Sequence, residues 1–140
     1  MIERFGDGRD WFSEKRFGLF VHWGLYAIPA WHEQHQWRGR VDRTEYGELA
    51  SQFNPTEFDP EAWLDLMEGA GMQYMCLTTK HHDGYCLWDT NQTDFKVTNS
   101  PYGKDVLAML AASCQRRSVP LCLYHSVVDW HHPNYPNQGR

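Results

Sequence analysis

The sequence predicts an α/β fold built on a parallel sheet, and three observations carry that prediction. First, three apolar runs have strand length: FGLFVHWG over residues 17–24, MQYMCLTT over 72–79 and VPLCLYHSV over 119–127. They are rich in β-branched, aromatic and large aliphatic side chains. None alternates cleanly between polar and apolar, as expected of strands buried on both faces. Second, helical patterns lie between the runs. Third, each run ends at histidine: His22, His81 with His82, and His125. Strands alternating with helices imply a parallel sheet with right-handed crossovers. A doubly wound sheet and a (β/α)8 barrel both satisfy that pattern.

The elements follow in chain order. After the first strand, the stretch TEYGELASQF predicts a helix over residues 43–52, with Tyr46, Leu49, Ala50 and Phe53 on one side. FDPEAWLDLMEGAG predicts a second helix. Asp59 caps it, Pro60 takes the first helical position, Glu61 sits in the first turn and Gly71 ends it. Trp63, Leu66, Met67 and Ala70 are its expected buried stripe. A third helix is expected from about Lys104 to Arg117, with Val106, Leu107, Leu110, Ala111 and Cys114 inward. Arg116 and Arg117 suit its C-terminal dipole. The closing PNYPNQGR reads as a loop.

Composition narrows the classes of function. The chain has 140 residues, 41% hydrophobic and 15% aromatic, with seven Trp, which is globular and one domain in size. The net charge of -5 is well mixed, without a basic stripe, so no nucleic-acid partner is expected. No apolar stretch approaches the roughly 20 residues of a membrane helix, and no signal-peptide core is visible. A cytoplasmic location is the expectation. Four cysteines form no CxxC pair, and Cys76 and Cys122, inside apolar runs, read as buried free thiols. No glycine-rich phosphate motif follows any strand.

The strand ends carry the chemistry. The first finishes in His22, Trp23 and Gly24. The second finishes in Lys80, His81, His82, Asp83 and Gly84. The third finishes in Tyr124, His125 and Ser126, with Asp129 and Trp130 just after. In parallel α/β architectures these ends share one rim, where ligands bind. Imidazoles, indoles, a phenol and carboxylates suit a sugar, whose hydroxyls need fixed donors and acceptors and whose C–H face packs on aromatic rings. Strict strand geometry would aim the adjacent His81 and His82 at opposite faces. Both turn inward only if the chain leaves the strand there. Lys80 reads as an ion-pair partner, Asp83 as a turn cap before Gly84, and Asp89, Asp94 and Asp105 as turn or cap residues. Trp11, Trp23, Trp63 and Trp88 read as core, and Trp37 lies in a polar loop. His131 and His132, beside Pro133, read as a solvent-facing loop. A metal site is the competing chemistry, since six histidines gather near these ends. The pairs are adjacent and neither HxH nor HExxH occurs, so no metal and no cofactor are expected.

Four stretches together resemble a known family. RFGLFVHWGLYAIPAW, EYGELASQFNPTEFDPEAWLDLMEGAGMQYMCLTTKHHDGYCLWDT, YGKDVLAML and LCLYHSVVDWHHPNY are similar, in order, to the N-terminal catalytic region of α-L-fucosidases of glycoside hydrolase family 29. The pairing of HWG with TTKHHDG is specific. The resemblance implies a partial (β/α)8 TIM-like barrel, the first three βα units. It implies a retaining glycosidase acting on fucosylated oligosaccharides or glycoconjugates. By matching motifs, His22, His81, His82 and Tyr124 line the fucose pocket, with His125 in place of a second tyrosine. The family's Glu-Trp pair corresponds to Gln36 and Trp37, unless Glu33 takes the carboxylate's place. The family's nucleophile is an aspartate on a later strand and its acid/base lies further on. The expectation is therefore an N-terminal fragment, residues 1–140, with no catalytic carboxylate and no turnover of its own. A non-catalytic fucose-binding module and a metal-dependent barrel hydrolase are the alternatives.

Overall fold

The structure, a computed structural model, describes residues 4–136; the last four residues of the predicted terminal loop lie outside it. Among the described residues one sheet forms, from β1 (Leu19–Val21), β2 (Met75–Lys80) and β3 (Leu121–His125), all parallel and in chain order. Phe20, Cys76 and Cys122 share one row of the register, and Val21, Leu77 and Leu123 the next. The strands are shorter than the apolar runs that predicted them. β1 stops at Val21 because the side chain of Thr78 takes over the backbone of Trp23. Its hydroxyl accepts from Trp23 N at 3.0 Å and lies 3.2 Å from Trp23 O.

Two longer helices cover one face of the sheet. α1 (Asp10–Lys15), α2 (His35–Arg38) and α3 (Arg43–Gly47) precede them, α3 tightening into a 3₁₀ turn over Glu48–Gln52. α4 (Pro60–Gly69) is capped by Asp59, which accepts from Glu61 N at 2.9 Å. α5 (Val106–Arg116) is capped by Asp105, which accepts from Ala108 N at 2.7 Å. Leu64 and Met67 of α4 meet Val106, Leu110 and Cys114 of α5 over Met75 and Leu77 of β2. Tyr46, Phe53, Tyr85 and Leu87 close the same core. Arg117 ties the helices at the surface, 2.7 Å from Asp65 and 2.6 Å from Glu68. Removing the α5 cap, as Asp105→Ala, is expected to cost about 1 kcal/mol in urea unfolding. No change in stability would mean that the cap is dispensable.

Four expectations are corrected. The buried stripe of α4 runs through Leu64 and Met67, with Trp63 at its margin; Leu66 is 67% exposed and Ala70 is exposed too. The helix is turned so that position 64, rather than 66, faces the strands. Cys76 and Cys122 are only half-buried, because they occupy the sheet face opposite the helices; Cys86 and Cys114 are the buried thiols. His131 is no solvent-facing residue: its ring stacks on Phe95 at 3.8 Å and 11°, while His132 stays exposed. In α5, Leu107 and Ala111 flank the buried residues rather than joining them. No helix among the described residues is long and apolar enough to cross a membrane.

Candidate functional site

The C-terminal ends of the three strands converge. β2 ends at Lys80, so His81 and His82 lie on the turn that follows, free of strand alternation. Their ring centroids are 4.4 Å apart. His81 is buried and stands 5.7 Å from His22, just past β1, and 5.6 Å from Tyr124 on β3, nearly parallel to that ring at 23°. His22 and Tyr124 are 6.3 Å apart. On the other side, His82 meets Trp130 at 5.3 Å, and Trp130 stacks on Trp37 at 5.7 Å and 21°. Five of the six residues singled out from the sequence therefore form one connected aromatic cluster, with Trp130 as the bridge.

Backbone and hydroxyl contacts hold that cluster in place. The two threonines before the histidines each serve a neighbouring strand. Thr78 holds Trp23, next to His22, and lies 3.1 Å from Tyr26 Oη; Thr79 Oγ1 donates to the Tyr124 carbonyl at 2.9 Å. Trp130 N donates to the His82 carbonyl at 2.7 Å. Lys80 is an ion-pair partner, as its sequence context suggests: Nζ lies 3.3 Å from Asp129 and donates to the Ser126 carbonyl at 3.0 Å. Asp83 does cap its turn, accepting from Tyr85 N at 3.2 Å, and also accepts from the buried Tyr46 hydroxyl at 2.8 Å.

Gln36, the sixth residue, is 3% exposed in α2, and its Oε1 has no hydrogen-bond partner among the described residues. Adjacent helix residues point in different directions, and Trp37 rather than Gln36 makes the ring contact with the cluster. The carboxylate whose charge acts on both His81 and His82 is Glu33, itself 3.2 Å from His32; Asp83 and Glu33 both act on Tyr26. Trp130, Thr78, Thr79 and Tyr26 had no role assigned from sequence. The hydroxyl contacts are long-range pairings that no local pattern announces. A cavity of about 470 Å³ lies on the same rim, lined by Lys80, Trp88, His125, Asp129 and His131 among others. None of His22, His81, His82 and Tyr124 lines it, so it neighbours the cluster without being its pocket. Among the described residues no group of three or more His, Cys, Asp or Glu is placed to hold a metal ion.

Burial sets the protonation states. It lowers His81 to about 4, helped by the imidazoles of His82 and His22, so the ring is neutral near pH 7. A neutral imidazole can donate from one nitrogen and accept at the other. Its buried Nδ1 has no hydrogen-bond partner among the described residues. Burial acts oppositely on Asp83, raising it from 3.8 to about 6. The two groups give opposite pH dependence. The stability contributed by neutral His81 is complete above pH 6.5 and is lost as pH falls through 4. That contributed by protonated Asp83 is complete below pH 3.8 and is lost as pH rises through 6. Asp83→Asn is therefore expected to lose stability more steeply than the parent on acidification from pH 6 to pH 4. Urea unfolding at several pH values measures this; equal slopes would contradict the burial argument.

The sequence profile of the α-L-fucosidase family matches residues 6–140. The chain belongs to the α-L-fucosidase family. Rat tissue α-L-fucosidase is 35% identical over 143 residues, covering 89% of this chain and 31% of the rat protein. Among solved α-L-fucosidases, isoenzyme 1 from Paenibacillus thiaminolyticus superposes with a TM-score of 0.88 at 44% identity, over 91% of this chain and 30% of that one. A family 29 α-L-fucosidase from Bacteroides thetaiotaomicron, trapped as a covalent intermediate with 2-fluoro-fucosyl fluoride, superposes at 0.84 with 37% identity, over 89% of this chain and 31% of its own. The chain thus spans just under a third of the length of these α-L-fucosidases.

Proposed function

We propose that these residues form the fucose-binding rim of a retaining α-L-fucosidase, as the first three βα units of its catalytic barrel. The observation that carries the proposal is the convergence of His22, His81, His82 and Tyr124 at one end of three adjacent parallel strands. The sheet supports the barrel reading. Strand order follows chain order, and α4 and α5 pack on the same face. A doubly wound sheet would place helices on both faces.

In this reading the imidazoles and the Tyr124 phenol address the hydroxyls of a terminal α-L-fucose, and the aromatic rings take its C–H face. Trp37 extends that aromatic wall, and the polar contact beside it comes from Glu33 or Gln36. The two-step displacement is supported by the covalent intermediate trapped in the Bacteroides relative. Such a mechanism needs two carboxyl groups roughly 5 Å apart, one as nucleophile and one as acid/base. The carboxylates near this cluster are otherwise engaged. Asp83 is buried on Tyr46, Asp129 is held by Lys80 and by the backbone of His131 and His132, and Glu33 contacts His32. In this reading none of these three carboxylates is the nucleophile or the acid/base, and this rim binds and orients the sugar.

The 140-residue chain is expected to bind L-fucose and to show no turnover of an aryl α-L-fucoside. Ordinary rates of hydrolysis by pure protein would overturn the assignment of the carboxylates. A folded chain without affinity for fucose would overturn the assignment of the rim.

A further inference from the structure

Ser126 follows β3 directly and is 4% exposed. β2 holds its backbone from both sides: its N–H donates to the Lys80 carbonyl at 2.9 Å, and its carbonyl accepts from Lys80 Nζ at 3.0 Å. Its hydroxyl makes two contacts. It lies 2.6 Å from His82 Nδ1, and it donates to the Val128 carbonyl at 2.9 Å.

Only one assignment of protons makes both contacts hydrogen bonds at once. A serine hydroxyl carries a single proton and can also accept. A carbonyl oxygen can only accept, so the serine proton goes to Val128. The contact with His82 must then be donated by the imidazole, which puts a proton on Nδ1. Burial lowers the pKa of His82, and the charge of Lys80 adds to that effect against the opposing pull of Glu33. The ring is therefore neutral near pH 7, and Nε2 carries a lone pair.

We propose that Ser126 is a positioning residue that fixes His82 as its Nδ1–H tautomer, so that Nε2 accepts a hydrogen bond from a hydroxyl of the sugar. The sugar half of this proposal rests on the reading of the cluster as a fucose site. It adds a rule of specificity. The hydroxyl facing His82 acts as a donor, so an analogue with fluorine or methoxy there, which can only accept, is rejected. Free imidazole side chains favour the other neutral tautomer, with the proton on Nε2, so without Ser126 the ring would present a donor where the sugar needs an acceptor.

The test uses the full chain with ¹⁵N-labelled histidine and reads long-range proton–nitrogen correlations of the imidazoles near pH 7. His82 is expected to show a protonated Nδ1 and a bare Nε2. Ser126→Ala should move it toward the Nε2–H form and weaken L-fucose binding about tenfold, the scale of one hydrogen bond. Ser126→Thr, which keeps the hydroxyl, should restore both. A merely structural role would change stability and leave the tautomer alone. An Nε2–H pattern in the parent protein, or a His82 spectrum unchanged in Ser126→Ala, would overturn the proposal. If Ser126→Ala does not fold, the parent and Ser126→Thr spectra decide. The tautomer is read without sugar, so an Nδ1–H ring in a chain that binds no fucose would overturn the fucose reading and support the role of Ser126.

Discussion

His81→Ala is expected to weaken L-fucose binding on the order of 100-fold. His81 is the hub of the cluster, in ring contact with His22, His82, Tyr124 and Tyr26. Burial keeps it neutral, and a neutral ring can address a sugar hydroxyl as donor or acceptor. Removing one partner leaves a desolvated hydroxyl unpaired, at a cost of about 1–3 kcal/mol. Loss of the ring also takes away the face stacked against Tyr124. Calorimetry of L-fucose binding, with circular dichroism to verify the fold, measures the effect. Affinity within twofold of the parent would show that His81 is core rather than site.

Gly84→Ala is expected to be strongly destabilising. Gly84 has φ +86, in the left-handed region that side chains rarely adopt. An added Cβ would lie 2.4 Å from Asp129 Oδ1 and 2.9 Å from His131 Cβ. Asp129 cannot simply withdraw, because it pairs with Lys80 and accepts from the backbone of His131 and His132. Left-handed strain of about 1–2 kcal/mol and the displaced ion pair together predict a loss of about 3 kcal/mol. That is a fall of roughly 10 °C in Tm for a chain of this size. Gly69→Ala is the control: its Cβ meets nothing within 4 Å at a helix position. It should be neutral or slightly stabilising. Equal Tm values for the two variants would contradict the close packing of the turn after β2 against the loop after β3.

Much of this was legible in the sequence, for physical reasons. The three strands could be found because each carries a continuous apolar run, although Phe20 and Leu123 are about half exposed rather than buried on both faces, and Asp59-Pro60 announced α4 because its cap and first-turn preferences are local. The adjacent histidines could be matched to a site because they stand where the second run ends, beyond the reach of strand alternation. Leu66 was misread because a helical stripe one position out of phase satisfies the same spacing, and only the strands beneath decide which phase is buried. The half-buried state of Cys76 and Cys122 depends on which sheet face the helices cover. The choice between Glu33 and Gln36 was left open by the sequence, since both lie in one short loop. In the structure Gln36 is buried in α2, while the charge of Glu33 acts on His81. Ser126 and Trp130 could be named at a strand end, but their contacts with His82 cross more than forty residues of chain and have no local signature.

The central claim is that imidazoles from β1 and β2 act together on one sugar. Its most direct measurement is the histidine side-chain spectrum of the 140-residue chain titrated with L-fucose. The resonances of His22, His81 and His82 should move together along a single binding curve, with those of His132 unmoved. If the three stay in place at high L-fucose while the chain remains folded, or move with unrelated affinities, the shared site does not exist.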